Sequence, residues 1–547
     1  MKRLHKFLAL VFVGIGFLFY SCETTELDLT QNPNALTPEQ ADVNFFLNAI
    51  QVNFGLFAET LGQRGAEMTR IDYMFGRDYA DVYSPSTFDD TWSNAYRSIL
   101  NNIRTMQPLA EDAKLYNHLG MAQVIEAYTM ITLVDFFGDV PYTEANDPTN
   151  LNPKADTGAS IYTAVLALLD QATANFAKGS LALPQNDFFY AKNLTKWTKL
   201  ANTLKMKIYL QRRLVDAGAI ASFNTIVNSG NYITATSENF MFNWGSSQVS
   251  PDTRHPRYAT DYKGDGADNY QSNWMMGTML ANNDPRIRYY FYRQVNKVPG
   301  QDGLDPKEED LACSLQTAPA HYTGFTFCSL PNGYWGRDHG NDEGIPPDGF
   351  KRTIIGVYPA GGRFDDSSFK GTALVAGANG AGVTPILLAS TVDFWKAELA
   401  LVAGNNTVAK AAMLAGIDKS ISTVTAFGAK DGGADLTKAP TALAITAFKT
   451  AKGTGFDNAA DKWNYVAEQF WFSLFGNGID AYNFYRRTGY PHTLQPNIDP
   501  NSGTFIRSNW YPANYANNNS NTTQKSSIAS QVFWDNNPAS PTFPVSN

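Results

Sequence analysis

Histidine and cysteine are scarce in this sequence, and their scarcity narrows the metal chemistry that the chain can carry. Its 547 residues include only six histidines and three cysteines. The histidines are scattered without a His-Glu-x-x-His pattern, and no two cysteines have Cys-x-x-Cys spacing. Because zinc sites draw their ligands from such clusters, the sequence disfavours a zinc site.

Runs of basic residues are also missing. The formal net charge is −8, and it becomes −11, from 40 basic and 51 acidic residues, once the first 21 residues are removed. Proteins that bind nucleic acid neutralise its phosphates with clustered lysine and arginine. The sequence therefore predicts no nucleic-acid partner, and it gives no electrostatic reason to bind anionic lipid.

The common catalytic signatures are absent too. The chain has no Gly-x-Ser-x-Gly elbow, no Walker phosphate loop and no dinucleotide-binding fingerprint. A glycoside hydrolase needs only two carboxyl groups held roughly 5–10 Å apart, so the 51 acidic residues leave that alternative open. No pair of acidic residues stands out, and we predict that the protein is not an enzyme.

The N-terminus carries the pattern of an export signal. Lys2, Arg3 and Lys6 precede fourteen uncharged, mainly apolar residues at positions 7–20. A basic start and a short apolar stretch are typical of a secretory signal peptide, whereas a membrane-spanning helix needs about twenty apolar residues. No segment after Cys22 is expected to cross a membrane.

The junction at Cys22 resembles that of a bacterial lipoprotein signal, with the small residue Ser21 directly before the cysteine. The resemblance implies that residues 1–21 are removed and that Cys22 becomes the first mature residue, carrying the acyl chains of a lipid anchor. Phe19 is a departure, since such signals more often have leucine there. An ordinary signal peptide that is cut nearby is the alternative.

The other two cysteines, Cys313 and Cys328, enclose a loop-like segment. Two cysteines in an exported chain can pair. A disulfide between them is therefore one prediction, and two independent thiols in an irregular region are the other.

Hydrophobic periodicity divides the chain into blocks. Tyr96, Ile99 and Ile103 recur at helical spacing, whereas glycine and proline are dense and helical periodicity is missing in the middle of the chain. We predict a mainly α fold of helical hairpins with a loop-rich, partly β excursion. The predicted segments are a signal peptide at 1–21, a lipid-anchored tether at 22–44, an N-terminal helical scaffold at 45–245, an irregular insertion at 246–389, a C-terminal helical scaffold at 390–490 and an irregular tail at 491–547.

Three segments carry a resemblance to a known family. The helix-ending "FGDVPY" at 137–142, the hairpin "KAELALVAGNNTVAKAAMLAGI" at 396–417 and "GNGIDAYNFYRRTGYP" at 476–491 are similar to segments of the SusD/RagB-like nutrient-binding lipoproteins. With Cys22, these landmarks run along nearly the whole chain. Each motif alone is modest, but their order and combination are fairly specific.

The resemblance implies a fold and a role. Members of this family are surface lipoproteins of the outer membrane, with a tetratricopeptide-like scaffold that packs against a SusC-like, TonB-dependent barrel and with loops that bind a nutrient. It implies that this chain binds an oligosaccharide and delivers it to such a barrel, and that the lipid is its only membrane anchor. A peptide ligand is one alternative, and a surface glycoside hydrolase or a pure protein-interaction scaffold is another.

Candidate ligand-binding residues lie in two stretches rich in aromatic and polar side chains. Sugars bind to flat aromatic faces, while planar polar groups fix their orientation through the hydroxyls. The stretches at 70–92 and 332–349 contain such residues without the regular hydrophobic spacing that is typical of core helices or strands. The candidates are Arg70, Tyr73, Tyr79 and Trp92 in the first stretch, and Tyr334, Trp335 and Arg337 in the second. The alternative is that these aromatic residues simply pack in the interior.

The second stretch also raises the question of a metal. Asp338, Asp342 and Glu343 offer the oxygen ligands that calcium favours, and a structural calcium ion is a further prediction. The stretch does not match the twelve-residue calcium-loop pattern, so a loop without metal is the alternative. No other cofactor is expected.

Overall fold

The computed structural model describes residues 42–299, 311–344 and 347–537. Cys22, the predicted signal peptide and nearly all of the predicted tether lie outside the described residues. The body of the fold begins with a long helix at Val43.

Helices dominate the first part of the body. They are α1 (Val43–Met68), α2 (Tyr79–Val82), α3 (Asp89–Ser93), α4 (Asn101–Asp112), α5 (Tyr116–Phe137), α6 (Gly158–Ala177), α7 (Leu194–Arg212) and α8 (Ala219–Ser229). A π-helical stretch, Asn94–Leu100, joins α3 to α4. Local sequence sets the starts of α6 and α7, because the side chains of Thr157 and Asn193 accept hydrogen bonds from backbone N–H groups of the first turn.

Helix α5 lies in the centre of this part. Its residues are apolar on nearly every face, so it is buried almost throughout. It ends at Gly138, whose backbone φ of 80° is a conformation that glycine adopts easily. Pro141 follows, and proline cannot continue a helix. By length and composition α5 could cross a membrane, which corrects the expectation that no segment after Cys22 could, but 94% of its qualifying 18-residue window is buried inside the protein.

The middle of the chain contains short elements and long loops. The helices are α9 (Pro256–Asp261), α10 (Asn273–Ala281) and α11 (Ile287–Tyr290), and the strands are β1 (Phe240–Asn243), β2 (Phe291–Tyr292), β3 (Ile354–Ile355) and β4 (Val383–Leu387). The strands form two antiparallel pairs. Strand β1 pairs with β4, with Asn243 opposite Val383, and β2 pairs with β3, with Phe291 opposite Ile355.

Helical hairpins return in the last part. The helices are α12 (Ala389–Val402), α13 (Asn406–Thr425), α14 (Ala442–Asn458), α15 (Lys462–Ser473), α16 (Gly478–Thr488) and α17 (Ala513–Asn518). Single 3-10 turns occur at Pro85–Phe88, Thr236–Glu238, Ala312–Leu315, Ala320–Tyr322, Gly428–Lys430 and Leu436–Lys438. Gly404, with a φ of 68°, forms the tight turn between α12 and α13. The predicted fold class, helical hairpins with a loop-rich, partly β excursion, is confirmed.

The described tail, residues 489–537, packs onto the helical body instead of running through solvent. Phe505, Ile506 and Trp534 are buried in the main hydrophobic core. The indole N–H of Trp534 donates to a carboxylate oxygen of Asp135 on α5 at 2.9 Å. The tail is therefore a structural part of the core around α5.

Candidate functional site

Several residues that the sequence nominated for ligand binding lie in the interior. The Arg70 guanidinium donates to the carbonyls of Met68 and Gln495, each at 2.9 Å, and the Tyr79 hydroxyl is 3.0 Å from His339 Nε2. Both Arg70 and Tyr79 are fully buried. Their polar atoms bond to the fold, which favours the packing alternative for both residues, and their contact with a ligand stays a prediction.

The neighbouring aromatic pair in the second stretch is also interior. Trp335 is 1% exposed, and its indole N–H donates to the Lys297 carbonyl at 2.7 Å. Tyr334 is buried with the Arg293 guanidinium 4.8 Å from its ring centre. Trp335 packs inside the loop region and Tyr334 lines a separate cavity of about 500 Å³, so ligand contact by these two residues stays a prediction.

Trp92 occupies a small cleft on the first helical part. Its ring is 4.7 Å from that of Tyr96 and 4.6 Å from that of Tyr515, centre to centre, and the three rings line a cavity of about 200 Å³. Trp92 is only 9% exposed. Most of its surface is committed to its neighbours.

Tyr73 and Arg337, in contrast, meet at a larger cavity of about 480 Å³, here called the Tyr270 cavity. Its wall combines the end of α1, the loop after it, α9 with the following loop, and the segment around Arg337. The Tyr73 and Tyr270 rings lie edge to face with centres 5.9 Å apart. Phe75, also in the wall, is 58% exposed. An exposed ring beside fixed tyrosines suits an apolar sugar face.

Arg337 is held rigidly in this wall. Its guanidinium lies 4.3 Å from the centre of the Tyr270 ring and donates to the Gly344 carbonyl at 3.2 Å. The Arg352 guanidinium lies 3.8 Å from the same ring centre and pairs with Asp348. Asp348 also accepts from the Tyr270 hydroxyl at 2.7 Å. These contacts fix Tyr270 between two arginines and one carboxylate.

Two buried carboxyl groups face the same cavity. Asp72 Oδ2 is 2.7 Å from Arg257 Nη1, and Asp261 accepts hydrogen bonds from the backbone and side chain of Asn269. Burial raises the pKa of Asp72 to about 6, although Arg257 opposes the change. Burial likewise raises the pKa of Asp261 to about 6, although the hydrogen bonds from Asn269 act to lower it.

The cavity wall also holds polar atoms that lack a hydrogen-bond partner among the described residues. They include two acceptors, Asp72 Oδ1 and Asp261 Oδ2, and two donors, Arg257 Nη2 and Arg352 Nε. A buried polar atom without a partner costs about 1–3 kcal/mol. Donors and acceptors that remain free in one cavity can bind the hydroxyls of a ligand.

The predicted calcium ligands do not converge. Asp342 and Glu343 pair with Arg77 at 2.6 and 3.0 Å, and Asp338 points inward to accept from Asn273, Gln495 and the Cys328 backbone. Within the described ranges, no group of three acidic, histidine or cysteine side chains could hold a metal ion. The prediction of calcium at these three residues is corrected, because protein donors already occupy their oxygens.

Cys313 and Cys328 are joined by a disulfide bond, with Cα atoms 5.6 Å apart. The backbone N–H of Cys328 donates to buried Asp338 at 2.6 Å. The disulfide therefore fixes the loop next to the segment that carries Arg337.

Comparison with known protein families assigns the chain. Residues 33–316 match the family SusD-like_2, described as starch-binding associating with outer membrane, and residues 368–537 match SusD-like, described as Susd and RagB outer membrane lipoprotein. The chain belongs to the SusD/RagB-like family. A search of curated proteins found no match.

Solved structures share the fold of this SusD/RagB-like protein. A SusD/RagB family protein from Bacteroides thetaiotaomicron is 20% identical, with a TM-score of 0.65 over 91% of this chain and 100% of that one. A chitin-binding protein is 19% identical, with a TM-score of 0.64 over 92% of this chain and 100% of that one. A chitin-binding SusD homologue from Flavobacterium johnsoniae is 16% identical, with a TM-score of 0.61 over 91% and 99%.

Sequence reasoning missed several cavity residues of this SusD/RagB-like protein. Phe75 lies inside the nominated stretch at 70–92 but was not singled out, and Tyr270 follows an acidic loop with no aromatic pattern. Asp72 lies in the first aromatic and polar stretch and Asp261 begins an acidic loop, whereas Arg257 carries no local motif. Their common position depends on packing between segments nearly 200 residues apart.

Proposed function

We propose that this protein is a lipid-anchored, surface-exposed lipoprotein of the outer membrane that binds an oligosaccharide and delivers it to a TonB-dependent, SusC-like transporter. The observation that carries the proposal is the Tyr270 cavity in a chain of this family. Two solved structures with the same fold are chitin-binding proteins, which supports a glycan as the ligand.

The cavity has the chemistry that a sugar needs. A sugar hydroxyl both donates and accepts a hydrogen bond, and the free acceptor of Asp261 and the free donor of Arg352 offer both complements. The exposed ring of Phe75 offers an apolar surface at the same wall. The volume of the Tyr270 cavity, about 480 Å³, lies within the range of ordinary small-ligand sites.

The anchor and the partner follow from the sequence and the family. Cys22 provides the lipid attachment site expected of a lipoprotein, and no membrane-facing element is needed if the lipid holds the chain. Binding at the surface would raise the local concentration of ligand at the transporter. The protein itself would carry out no chemistry.

One observation favours a second candidate, a glycoside hydrolase. Asp72 and Asp261 face one cavity, each with a pKa of about 6, and a carboxyl group with a raised pKa can act as a general acid. Against this, Asp72 is held by Arg257 and Asp261 by Asn269. Product analysis of bound oligosaccharides separates binding from hydrolysis.

The test is calorimetric titration of soluble protein that begins at Glu23. Neutral oligosaccharide pools, including chito-oligosaccharides, are titrated first and peptide pools second, and each mixture is then analysed for cleavage. Saturable binding of intact oligosaccharide is the expected result. If only peptides bind, the proposed ligand class changes from glycan to peptide. If the oligosaccharides are cleaved, the protein is a hydrolase and the proposal of a non-catalytic binding protein is wrong.

Delivery needs a separate measurement on the full chain. The lipid-anchored protein is purified from outer membranes under mild detergent, and co-purification of a TonB-dependent barrel is expected. A chain that purifies alone, while still binding oligosaccharide, would contradict the transporter partnership.

A further inference from the structure

We propose that the glycan bound in the Tyr270 cavity carries a carboxylate, as in a uronic-acid oligosaccharide, and that Arg337 is the residue that recognises this group. The inference rests on the proposed function, because it names the charge class of the same ligand. It depends on the way charges are distributed around the cavity wall.

Arg337 differs from the other arginines of the wall. Arg64 pairs with Glu67 at 2.9 Å, Arg257 pairs with Glu59 and Asp72, and Arg352 pairs with Asp348. Arg337 is 3% exposed, yet in the described part of the chain no carboxylate forms an ion pair with it. Its partners are the Gly344 carbonyl, the hydroxyls of Tyr270 and Tyr73, and the Tyr270 ring.

A buried cation that no carboxylate contacts directly is destabilising, and an anionic ligand that pairs with it relieves this cost. Taking a charge out of water costs several kcal/mol unless an opposite charge or good hydrogen bonds compensate. The planar guanidinium binds a carboxylate through two parallel N–H donors. Stacking on Tyr270 holds the Arg337 plane in place, so little side-chain entropy remains to be lost on binding.

Arg352 strengthens this end of the cavity. Its guanidinium contacts the same Tyr270 ring, and its Nε has no hydrogen-bond partner among the described residues. Two guanidinium groups therefore contact one ring, and Asp348 forms an ion pair with only one of them, Arg352. The Arg337 guanidinium is thereby left to pair with a monoanionic group of the ligand.

Two carboxyl groups of the cavity wall make the affinity depend on pH. Asp72 is faced by Arg257, Glu59 and Glu67, with His255 beside Glu59 at 3.5 Å, and Asp261 is faced by Asn269, Arg352 and Asp268. Burial raises the pKa of both Asp72 and Asp261 to about 6. Both are mainly ionised at pH 7 and mainly protonated at pH 5, so their repulsion of a bound carboxylate weakens as pH falls. A sugar carboxylate, which titrates near the α-carboxyl range of about 3.3–3.7, remains ionised.

The experiment compares each acidic oligosaccharide with its methyl ester, which has the same sugar chain but lacks the negative charge. Oligogalacturonate and hyaluronan oligosaccharides are titrated into the soluble protein as free acids and as esters, with chito-oligosaccharides alongside. At least one acid should bind about tenfold more tightly than its ester at pH 7. Its affinity should increase about threefold between pH 7 and pH 5 and decrease as salt is added.

Two variants assign the effect to Arg337. Arg337→Gln should remove the preference of the protein for the acid over the ester. Arg288→Gln is the matched control, because Arg288 also donates to a carbonyl, that of Asp365 at 2.7 Å, without a recorded ion pair, and it lines a different cavity. The control should keep the preference. If Arg337→Gln does not fold, Asp261→Asn gives a second test, since removal of its negative charge should tighten acid binding at pH 7.

The outcomes separate this inference from the proposed function. Neutral oligosaccharides that bind while every acid binds no better than its ester would overturn the inference and leave the glycan-binding function standing. If Arg337→Gln still prefers the acid over the ester, Arg337 does not recognise the carboxylate. If Asp261→Asn leaves the preference for the acid unchanged at pH 7, the carboxylate does not bind in the Tyr270 cavity. Failure of every oligosaccharide to bind would overturn both.

Discussion

Arg487 on α16 donates two parallel hydrogen bonds to Glu398 on α12, from Nε to Oε1 and from Nη2 to Oε2, each 2.7 Å long. Arg213, directly after α7, donates to the same carboxylate at 2.9 Å. Glu398 is fully buried. One carboxylate thus connects helices from both scaffold segments.

Arg487→Ala should destabilise the protein by about 3–5 kcal/mol, because it leaves a buried carboxylate with part of its compensation removed. Urea unfolding measures the change. Lys449→Ala is the control, since Lys449 pairs with Asp418 on the surface at 2.5 Å and exposed pairs contribute little. Equal losses in the two variants would contradict the structural role of the buried pair.

The same pair predicts a loss of stability in acid. Burial alone would raise the pKa of Glu398, but Arg487 and Arg213 outweigh it and lower the pKa below its ordinary value. A carboxyl group with a lowered folded-state pKa contributes stability above its unfolded pKa, about 4.3, and loses it as pH falls through the folded value. Glu398→Gln should therefore flatten the decrease in melting temperature below about pH 4. If the melting temperature of Glu398→Gln decreases below pH 4 as steeply as that of the wild type, Glu398 does not cause the acid sensitivity.

Helices α1 and α16 approach too closely for any side chain at Gly478. A Cβ atom on Gly478 would lie 1.9 Å from the backbone nitrogen of Ala66. Gly478→Ala should cost several kcal/mol or prevent folding, because two backbones cannot separate without loss of packing on both helices. Gly432→Ala, where no atom lies within 4 Å of the added Cβ, is the control for thermal unfolding and should be near neutral.

Asp261 should limit stability near neutral pH. Its pKa, about 6 after burial, lies above the ordinary value of 3.8, so the folded state favours the protonated form and stability decreases as pH rises from about 4 to 6. Asp261→Asn keeps the acceptor for Asn269 and should stabilise the protein at pH 7 by on the order of 2–3 kcal/mol. The gain should vanish at pH 4. A gain that is equal at both pH values would rule out titration as its cause.

Phe75 should contribute to ligand affinity and not to stability. It is 58% exposed in the wall of the Tyr270 cavity, so Phe75→Ala should weaken oligosaccharide binding about tenfold with an unchanged melting temperature. Phe45→Ala is the matched control, because Phe45 is 65% exposed near the start of α1 and does not line that cavity. Equal affinities for both variants would place the ligand elsewhere.

Sequence patterns predicted the scaffold better than the site, for a physical reason. Gly138 followed by Pro141 ends a helix through local backbone preferences, and such preferences are legible in a short segment. Whether Trp335 faces solvent or core depends on what packs over it, here the carbonyl of Lys297 and the surrounding loops. Tyr73 and Arg337 were nominated for their chemistry, whereas their proximity results from tertiary packing that no local spacing encodes.

The lipid anchor is the prediction that rests on sequence and family alone, and it can be tested in cells. Cys22→Ala should abolish incorporation of labelled palmitate and release the protein from the membrane fraction, because the thiol that carries the lipid is gone. Ser21→Ala keeps a small residue before the cysteine and should retain the label. If wild-type protein is exported without label, the ordinary signal peptide is the correct alternative, and another contact must hold the protein at the surface. A labelled Cys22→Ala variant would instead move the acyl chain to a different residue.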